Sequence, residues 1–268
     1  MARNLVAAGH EVVGCDLDPA RGELFGGAFV STPAEAVAAA EVAIASLPSP
    51  AAVEEVAYSL RGAGVAAFVD MSTGPPALAR CLAEELGAAG IDSLDAPVSG
   101  GPIGAEAASL TIFVGGSSAG FARVEPILRA LGSVAHVGGP GTGQVVKLCN
   151  NLMAGVNMAA IAEAAAVAAR AGIDTTTFYK LVTQSTGDSR VMRTRFPLEG
   201  AEATHPANRA FEPMFALDLM EKDLALACAL AEEHDLDSRV ARAALRDYRR
   251  AQARGLGALD YSAVYLAK

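Results

Sequence analysis

The chain has no tryptophan, only four cysteines and few charges for its size, and each scarcity excludes something. Cys15, Cys81, Cys149 and Cys228 stand singly, without the paired spacing of a disulfide framework or a metal site. Lys and Arg number 21 against 30 Asp and Glu, and no basic run offsets the net charge of −9, so no nucleic-acid partner is expected. No unbroken apolar run reaches the roughly 18 residues that span a membrane, so no membrane partner is expected either. The first residues have no charged segment leading into an apolar one, so no secretory signal is expected there. A reduced, cytoplasmic setting is the default. What remains is 52% hydrophobic and 19% charged over 268 residues, enough for two domains with sizeable cores.

The order of apolar runs and breakers sets the organisation. Met1–Gly9 reads as the tail of a helix capped by Gly9, and His10–Asp16 as a short strand ending on an acid. Asp18-Pro19 reads as the N-cap and first residue of the next helix. A short strand follows at Gly27–Val30, and Ser31-Thr-Pro33 opens an Ala-rich helix. Glu41–Leu47 and Val65–Asp70 are nearly unbroken apolar runs of strand length, the pattern of strands covered on both faces. Ile91–Ala96, Leu110–Val114 and Val134–Val137 complete the set. Strands alternating with helices predict an α/β fold with a parallel, doubly wound sheet over residues 1–138.

Beyond this stretch the pattern becomes helical. Gly139 to Gly143 reads as a connector, since three glycines in five residues are poor helix starters, and a long helix is expected from about Gln144 to Gly172. Asp174 caps the next helix, and Phe215–Glu233 and Ser238–Arg254 supply two more, an all-α domain over 139–268. Glu163, set among alanines, reads as a buried or inter-helix group.

Ligands in doubly wound sheets bind beyond the carboxyl ends of the strands, and the polar and glycine-rich residues lie there: Asp16, Pro48, Ser72-Thr73 and Pro97 to Gly101. Asp16 ends a strand where a dinucleotide fold places a carboxylate for the ribose hydroxyls; the alternative is a capping Asp. Ser99-Gly100-Gly101 would present a hydroxyl and successive N–H groups to a carboxylate; the alternative is an ordinary tight loop. Lys147, Asn150 and Asn151 stand at i, i+3 and i+4 and share one helix face, either a chemical site or a surface lysine beside a cap.

Four stretches together resemble the β-hydroxyacid dehydrogenase family: Asp95-Ala-Pro-Val-Ser-Gly-Gly101, Gly141-Thr-Gly-Gln-Val-Val-Lys-Leu-Cys-Asn-Asn151, Phe215-Ala-Leu-Asp-Leu-Met-Glu-Lys-Asp223 and Asp260-Tyr-Ser-Ala263. The resemblance implies a Rossmann-type sheet followed by a helical domain for substrate and oligomerisation. It implies Lys147 as general acid/base and Asn151 as holder of the substrate hydroxyl. Ser99, Gly100 and Gly101 would take the substrate carboxylate, and Phe215 would line the pocket. Leu47, Pro48 and Thr73 would touch the cofactor, and Lys222 and Asp223 would close over it. Without the resemblance, Phe215–Asp223 would read as an amphipathic helix with a solvated Lys-Asp pair. NAD is the implied cofactor rather than NADP, because Asp16 is followed by Leu17 with no adjacent Arg. A small carboxylate-bearing substrate and a homodimer or homotetramer are implied, and no metal.

Two departures from the family pattern stand out. Ala108 replaces a common glycine before Ser109-Leu-Thr, an expected small shift of the loop. The family's first strand and Gly-x-Gly-x-x-Gly turn have no counterpart, and the expectation is a mis-started reading of a longer gene with a gap in the sheet and poor NAD binding. The resemblance points to a 3-hydroxyacid dehydrogenase of the 3-hydroxyisobutyrate type. The alternatives are a tartronate or succinate semialdehyde reductase and, in a different class, a non-catalytic oligomerising subunit.

Overall fold

The computed structural model describes Met1 to Lys268, the side chain of Leu24 excepted, and divides into two compact units, Met1–Lys147 and Leu148–Lys268. The expected boundary at the glycine hinge lies ahead of this division. The long helix begins at Thr142, and its first turns belong to the first unit.

The first unit carries eight strands: β1 (Val13–Cys15), β2 (Ala28–Val30), β3 (Val42–Ala45), β4 (Ala67–Asp70), β5 (Asp92–Asp95), β6 (Val98–Ser99), β7 (Leu110–Gly115) and β8 (Gly132–Gly138). They form a two-stranded parallel sheet, β1-β2, and a six-stranded sheet in the order β3-β4-β5-β7-β6, with β8 on β7. No strand among the described residues lies between β1 and β3, so the expected gap is present in the pairing. The sheet is parallel through β3, β4 and β5 and reverses at β7, which pairs antiparallel with both β5 and β6. β6 is too short to show as an apolar run, and the sequence pattern missed it.

Burial on both faces explains the apolar runs. On β4, Ala67 and Val69 join the cluster built with Leu94, Ile112, Val124 and Leu128, while Phe68 joins the cluster of Val53, Leu60, Leu82 and Leu86. Successive side chains of a strand point to opposite faces, so helices must cover both. The last residues of the central strands are in register, Ala45 beside Asp70 and Asp70 beside Asp95. One edge of the sheet therefore collects two buried carboxylates.

Local starts follow capping rules. Thr32 and Glu35 form a reciprocal capping box, and Ser49, Ser117 and Asp174 each accept a first-turn N–H. Asp18 falls outside its helix, which runs Ala20–Phe25; it accepts from the Ala20 N–H in the turn before.

In the second unit, helices Leu217–Glu233 and Arg239–Ala253 pack with the long helix around Met158, Ala162, Leu224, Leu245 and Tyr248. Gly155 makes the approach close: a Cβ there would lie 3.0 Å from the side chains of Leu224 and Met220. The buried Tyr248 hydroxyl donates to the Gly155 carbonyl at 3.2 Å. Of the two readings of Glu163, the buried one fails and the inter-helix one holds: its side chain is 68% exposed and pairs with Lys268, which also pairs with Asp247 of the helix Arg239–Ala253. The helix Thr142–Arg170 is long and apolar enough by length and composition to cross a membrane, which the count of unbroken apolar residues had missed. Asn150, Asn151 and Asn157 interrupt it, and its buried Met158, Ala159 and Ala162 belong to the core of the helical unit.

Candidate active site

The long helix begins against the sheet edge, and a carboxylate from β5 receives it. Asp95, 3% exposed, accepts the Gly141 N–H on Oδ1 at 2.7 Å and the Gln144 N–H on Oδ2 at 2.8 Å. A helix start leaves its first N–H groups without partners and carries partial positive charge, so a carboxylate is the matching acceptor. Burial pushes the Asp95 carboxyl above its ordinary value, against the downward pull of the Gly141 and Gln144 N–H groups.

The helix starts two residues earlier than expected: Thr142 and Gly143 lie inside it, while Gly139 to Gly141 lie outside it as expected. Gly143 sits in the first turn, and a Cβ there would fall 2.3 Å from the Phe113 carbonyl oxygen and 2.8 Å from that of Asp95. Glycine's low helix propensity is accepted because only a residue without a side chain lets the helix reach the strand ends. Gly141, at φ +86°, would place a Cβ 2.8 Å from the Pro76 carbonyl oxygen.

Gln144 continues the attachment. Its Nε2 donates to the Ser72 carbonyl at 2.9 Å and its Oε1 accepts from the Gly74 N–H at 3.0 Å. Ser72 Oγ accepts from the Leu47 N–H at 2.8 Å, and the Ser72 N–H donates to Asp70 Oδ1 at 2.9 Å. The expected cofactor residues Leu47, Pro48 and Thr73 thus lie in loops following β3 and β4 that are joined through Ser72. Lys147 follows Gln144 by one turn and is 7% exposed. Ser99 ends β6, and Gly100 (φ +136°) and Gly101 (φ +63°) turn the chain into the short helix Gly101–Glu106, with Gly100 and Gly101 exposed. Asp16 is exposed just after β1, and its Oδ1 accepts the Asp18 N–H at 2.9 Å.

In the helical unit, Asn151 is 5% exposed, and its Nδ2 donates to Asp223 Oδ2 at 2.5 Å while its Oδ1 accepts from Asn150 at 3.0 Å. Asp223 can only accept, so it sets which end of the Asn151 carboxamide faces it. Lys222 lies 3.3 Å from the other Asp223 oxygen. Asp223 is 1% exposed, a buried partner of Asn151 rather than a solvated helix residue. Phe215 is held from behind: buried Asp260 accepts the Met214 and Phe215 N–H groups on one oxygen and Ser262 on the other, with Arg195 3.6 Å away. The Phe215 ring meets Tyr261 edge-on.

Asp95, Gln144 and Asp260 were present in the quoted motifs but carried no assigned role. Nothing in a single sequence distinguishes a buried polar residue that receives a helix start from a loop residue.

Residues 1–139 match the family model described as the NAD binding domain of 6-phosphogluconate dehydrogenase. Residues 141–267 match the one described as NAD-binding of NADP-dependent 3-hydroxyisobutyrate dehydrogenase. The chain belongs to the β-hydroxyacid dehydrogenase family. Among curated members, 3-hydroxyisobutyrate dehydrogenase of Pseudomonas aeruginosa is 39% identical over 241 residues, covering 87% of this chain and 81% of that one. The 2-hydroxy-3-oxopropionate reductase of Escherichia coli is 32% identical, covering 100% of this chain and 92% of its own length. The solved structure of Mycobacterium tuberculosis 3-hydroxyisobutyrate dehydrogenase with L-serine superposes with a TM-score of 0.91 at 35% identity, covering 99% of this chain and 93% of that one. An imine reductase from a Pseudomonas species, at 22% identity and a TM-score of 0.63, shares the fold.

A nicotinamide dinucleotide, the cofactor of such domains, fits part of this frame. Asp16 is exposed just after β1, and the Leu47–Pro48 and Ser72–Gly74 loops lie at the carboxyl ends of adjacent strands, where such folds bind dinucleotides. The chain contains no Gly-x-Gly-x-x-Gly turn for a pyrophosphate.

Proposed function

We propose that the chain oxidises a small 3-hydroxy acid of the 3-hydroxyisobutyrate type to its semialdehyde. The observation that supports this most is the buried Lys147 on a helix whose first turn is bonded to the strand-end loops, with Asn151 four residues further along the same helix. A buried lysine is uncommon, because its charge loses water and needs matching groups around it.

When bound, the nicotinamide supplies the hydride acceptor. Lys147 takes the hydroxyl proton at Nζ in the oxidising direction and returns it in the reducing one. Asn151, its carboxamide oriented by Asp223, holds the hydroxyl oxygen. Ser99, Gly100 and Gly101 receive the carboxylate, and the family resemblance gives Phe215 a place beside the substrate. Holding the carbinol carbon in place is a positioning effect, worth about 7–11 kcal/mol in the best-oriented cases. Asp223 acts through Asn151, and the family resemblance gives Lys222 a role at the cofactor.

NAD is the proposed cofactor, because a 2′-phosphate would meet Asp16 and find Leu17, fully exposed and uncharged, beside it. Arg21, one turn on, is paired with Asp18 at 3.7 Å. The exposed apolar residues Met153 and Val167 on the long helix suit packing between copies, a dimer or tetramer. The four free cysteines fit a reducing, cytoplasmic setting.

A second reading, reduction of 2-hydroxy-3-oxopropionate (tartronate semialdehyde), is favoured by the full-length match to the E. coli reductase. Steady-state kinetics with 3-hydroxyisobutyrate and with tartronate semialdehyde, each with NAD(H) and NADP(H), separate the two. The expected result is the higher kcat/KM for 3-hydroxyisobutyrate with NAD. A higher value for tartronate semialdehyde moves the assignment to the second reading. A clear NADP preference shows that another group outweighs Asp16. No turnover of either acid supports the non-catalytic alternative.

A further inference from the structure

Gln144 is 1% exposed, and both ends of its carboxamide are used. Oε1 accepts the Gly74 N–H and Nε2 donates to the Ser72 carbonyl, so the Ser72-Thr73-Gly74 loop is gripped as a neighbouring strand would grip it, by one acceptor and one donor. The backbone of Gln144 is held separately, its N–H on Asp95. Ser72, at the far side of the same loop, receives the Leu47 N–H on its hydroxyl. A peptide N–H only donates and a carbonyl only accepts, so both partners dictate the same orientation of the amide. No apolar side chain could replace it without leaving two buried backbone groups unmatched.

The chain of bonds runs from the loop after β3, through Ser72 in the loop after β4, to the helix turn that leads into Lys147. None of the roles assigned above requires a carboxamide at position 144. We propose that Gln144 is a positioning residue, which sets the cofactor-side loops at Leu47 and Thr73 against the helix turn that carries Lys147. This rests on the proposed function, since it presumes that those loops meet the cofactor and that Lys147 moves the proton.

Two variants of the full chain test it. Gln144→Met keeps length and helix propensity and removes both hydrogen bonds. Gln144→Glu keeps the shape; its carboxylate sets an oxygen against the Ser72 carbonyl, whereas its protonated acid can donate there. The charged groups around it are Asp95, which takes its N–H, Asp70, which takes the Ser72 N–H, Lys147 one turn along the helix, and Arg80, packed beside Gly141. The readouts are NAD affinity by titration calorimetry, kcat, the primary deuterium isotope effect on the carbinol hydrogen, and the melting temperature.

For Gln144→Met, NAD binding about tenfold weaker, kcat about ten- to hundredfold lower and an enlarged isotope effect are expected at a temperature where the variant is folded. For Gln144→Glu, burial at this 1%-exposed position disfavours the charged form, so the ratio of its NAD dissociation constant to that of the wild type should shrink as pH is lowered from about 8 to about 5 and the acid regains its proton. A lowered melting temperature with NAD affinity and kcat within twofold of wild type, in either folded variant, overturns the inference and leaves Gln144 a stabilising residue only. A Gln144→Glu ratio that does not change with pH also counts against it. A wild-type chain that neither binds NAD nor turns over a 3-hydroxy acid overturns the proposed function, and the inference with it. A wild type that does both isolates the failure to Gln144.

Discussion

In the sheet unit a buried carboxylate, Asp95, faces two backbone N–H groups; in the helical unit a buried carboxylate, Asp223, faces a side chain, the carboxamide of Asn151. Both acids are almost fully covered. The first receives the start of a helix, so what it fixes is a piece of backbone and everything that piece carries. The second orients one amide. Backbone attachment and side-chain orientation are separate tasks, and a substitution that looks the same in chemistry should have unequal effects in the two places.

The largest effect should come from neither acid but from the residue that the attached helix carries. Lys147→Ala is expected to lower kcat by about 10²–10⁴-fold, the usual range for a lost general acid/base, with NAD affinity nearly unchanged. Near-normal turnover would remove Lys147 from the chemistry.

The two acids can then be compared directly. Asp95→Ala leaves the N–H groups of Gly141 and Gln144 without their acceptor, at roughly 1–3 kcal/mol each, so a total loss of about 2–6 kcal/mol is expected. Asp223→Ala removes one acceptor from Asn151 and a partner from the 30%-exposed Lys222, and should cost about half as much. Urea unfolding of both variants checks this, and equal losses would erase the distinction between backbone and side-chain attachment.

The helical unit should also have its own pH signature. Burial pushes the Tyr261 hydroxyl up to about 12, and that of Tyr248 is raised for the same reason. A raised folded-state pKa gives stability that is present below the unfolded value of 10 and is lost as pH rises toward 12. A rise of that size corresponds to ~2–3 kcal/mol, so Tyr261→Phe should flatten the alkaline loss of stability by up to that amount. Near-ultraviolet circular dichroism against pH, for wild type and variant, measures it. Identical alkaline profiles would place the loss elsewhere.

The smallest effect lies in the sheet unit. Ala108 has φ +51° and is exposed, a left-handed backbone that favours glycine. Ala108→Gly relieves about 1–2 kcal/mol of backbone strain and loses about 0.4–1 kcal/mol through a freer unfolded chain, for a net gain of about 0.5–1 kcal/mol in thermal unfolding. A loss of stability would show that the Ser109 loop tolerates alanine without strain.

Ala108 also shows how far the sequence could be read. Its departure from the family pattern was visible, but the backbone angle that gives the departure a cost was not. The strands β3 and β4 were legible because burial on both faces leaves an unbroken apolar run. β6 was not, because two residues carry no period. Glu163 was legible only as an alternative, since a lone acid among alanines looks the same whether the surrounding face is buried or open. The start of the long helix misled for a better-defined reason: glycine argues against a helix until the neighbouring carbonyl oxygens of Phe113 and Asp95 are in view.

By itself the sequence determined the order of strands and helices, the change of pattern near the glycine hinge, and the motifs that place the chain in its family. These are encoded locally, in apolar period, breakers and short runs of residues. Only the tertiary structure decided that Asp95 receives the helix carrying Lys147, that Gln144 grips the Ser72–Gly74 loop, and that Asp223 orients Asn151. Gln144 and Asp223 bond partners 70 or more residues away, as far as Gly74 and Asn151. Such pairs leave no local signature, because a buried hydrogen bond depends on which groups the fold brings together after water has been excluded.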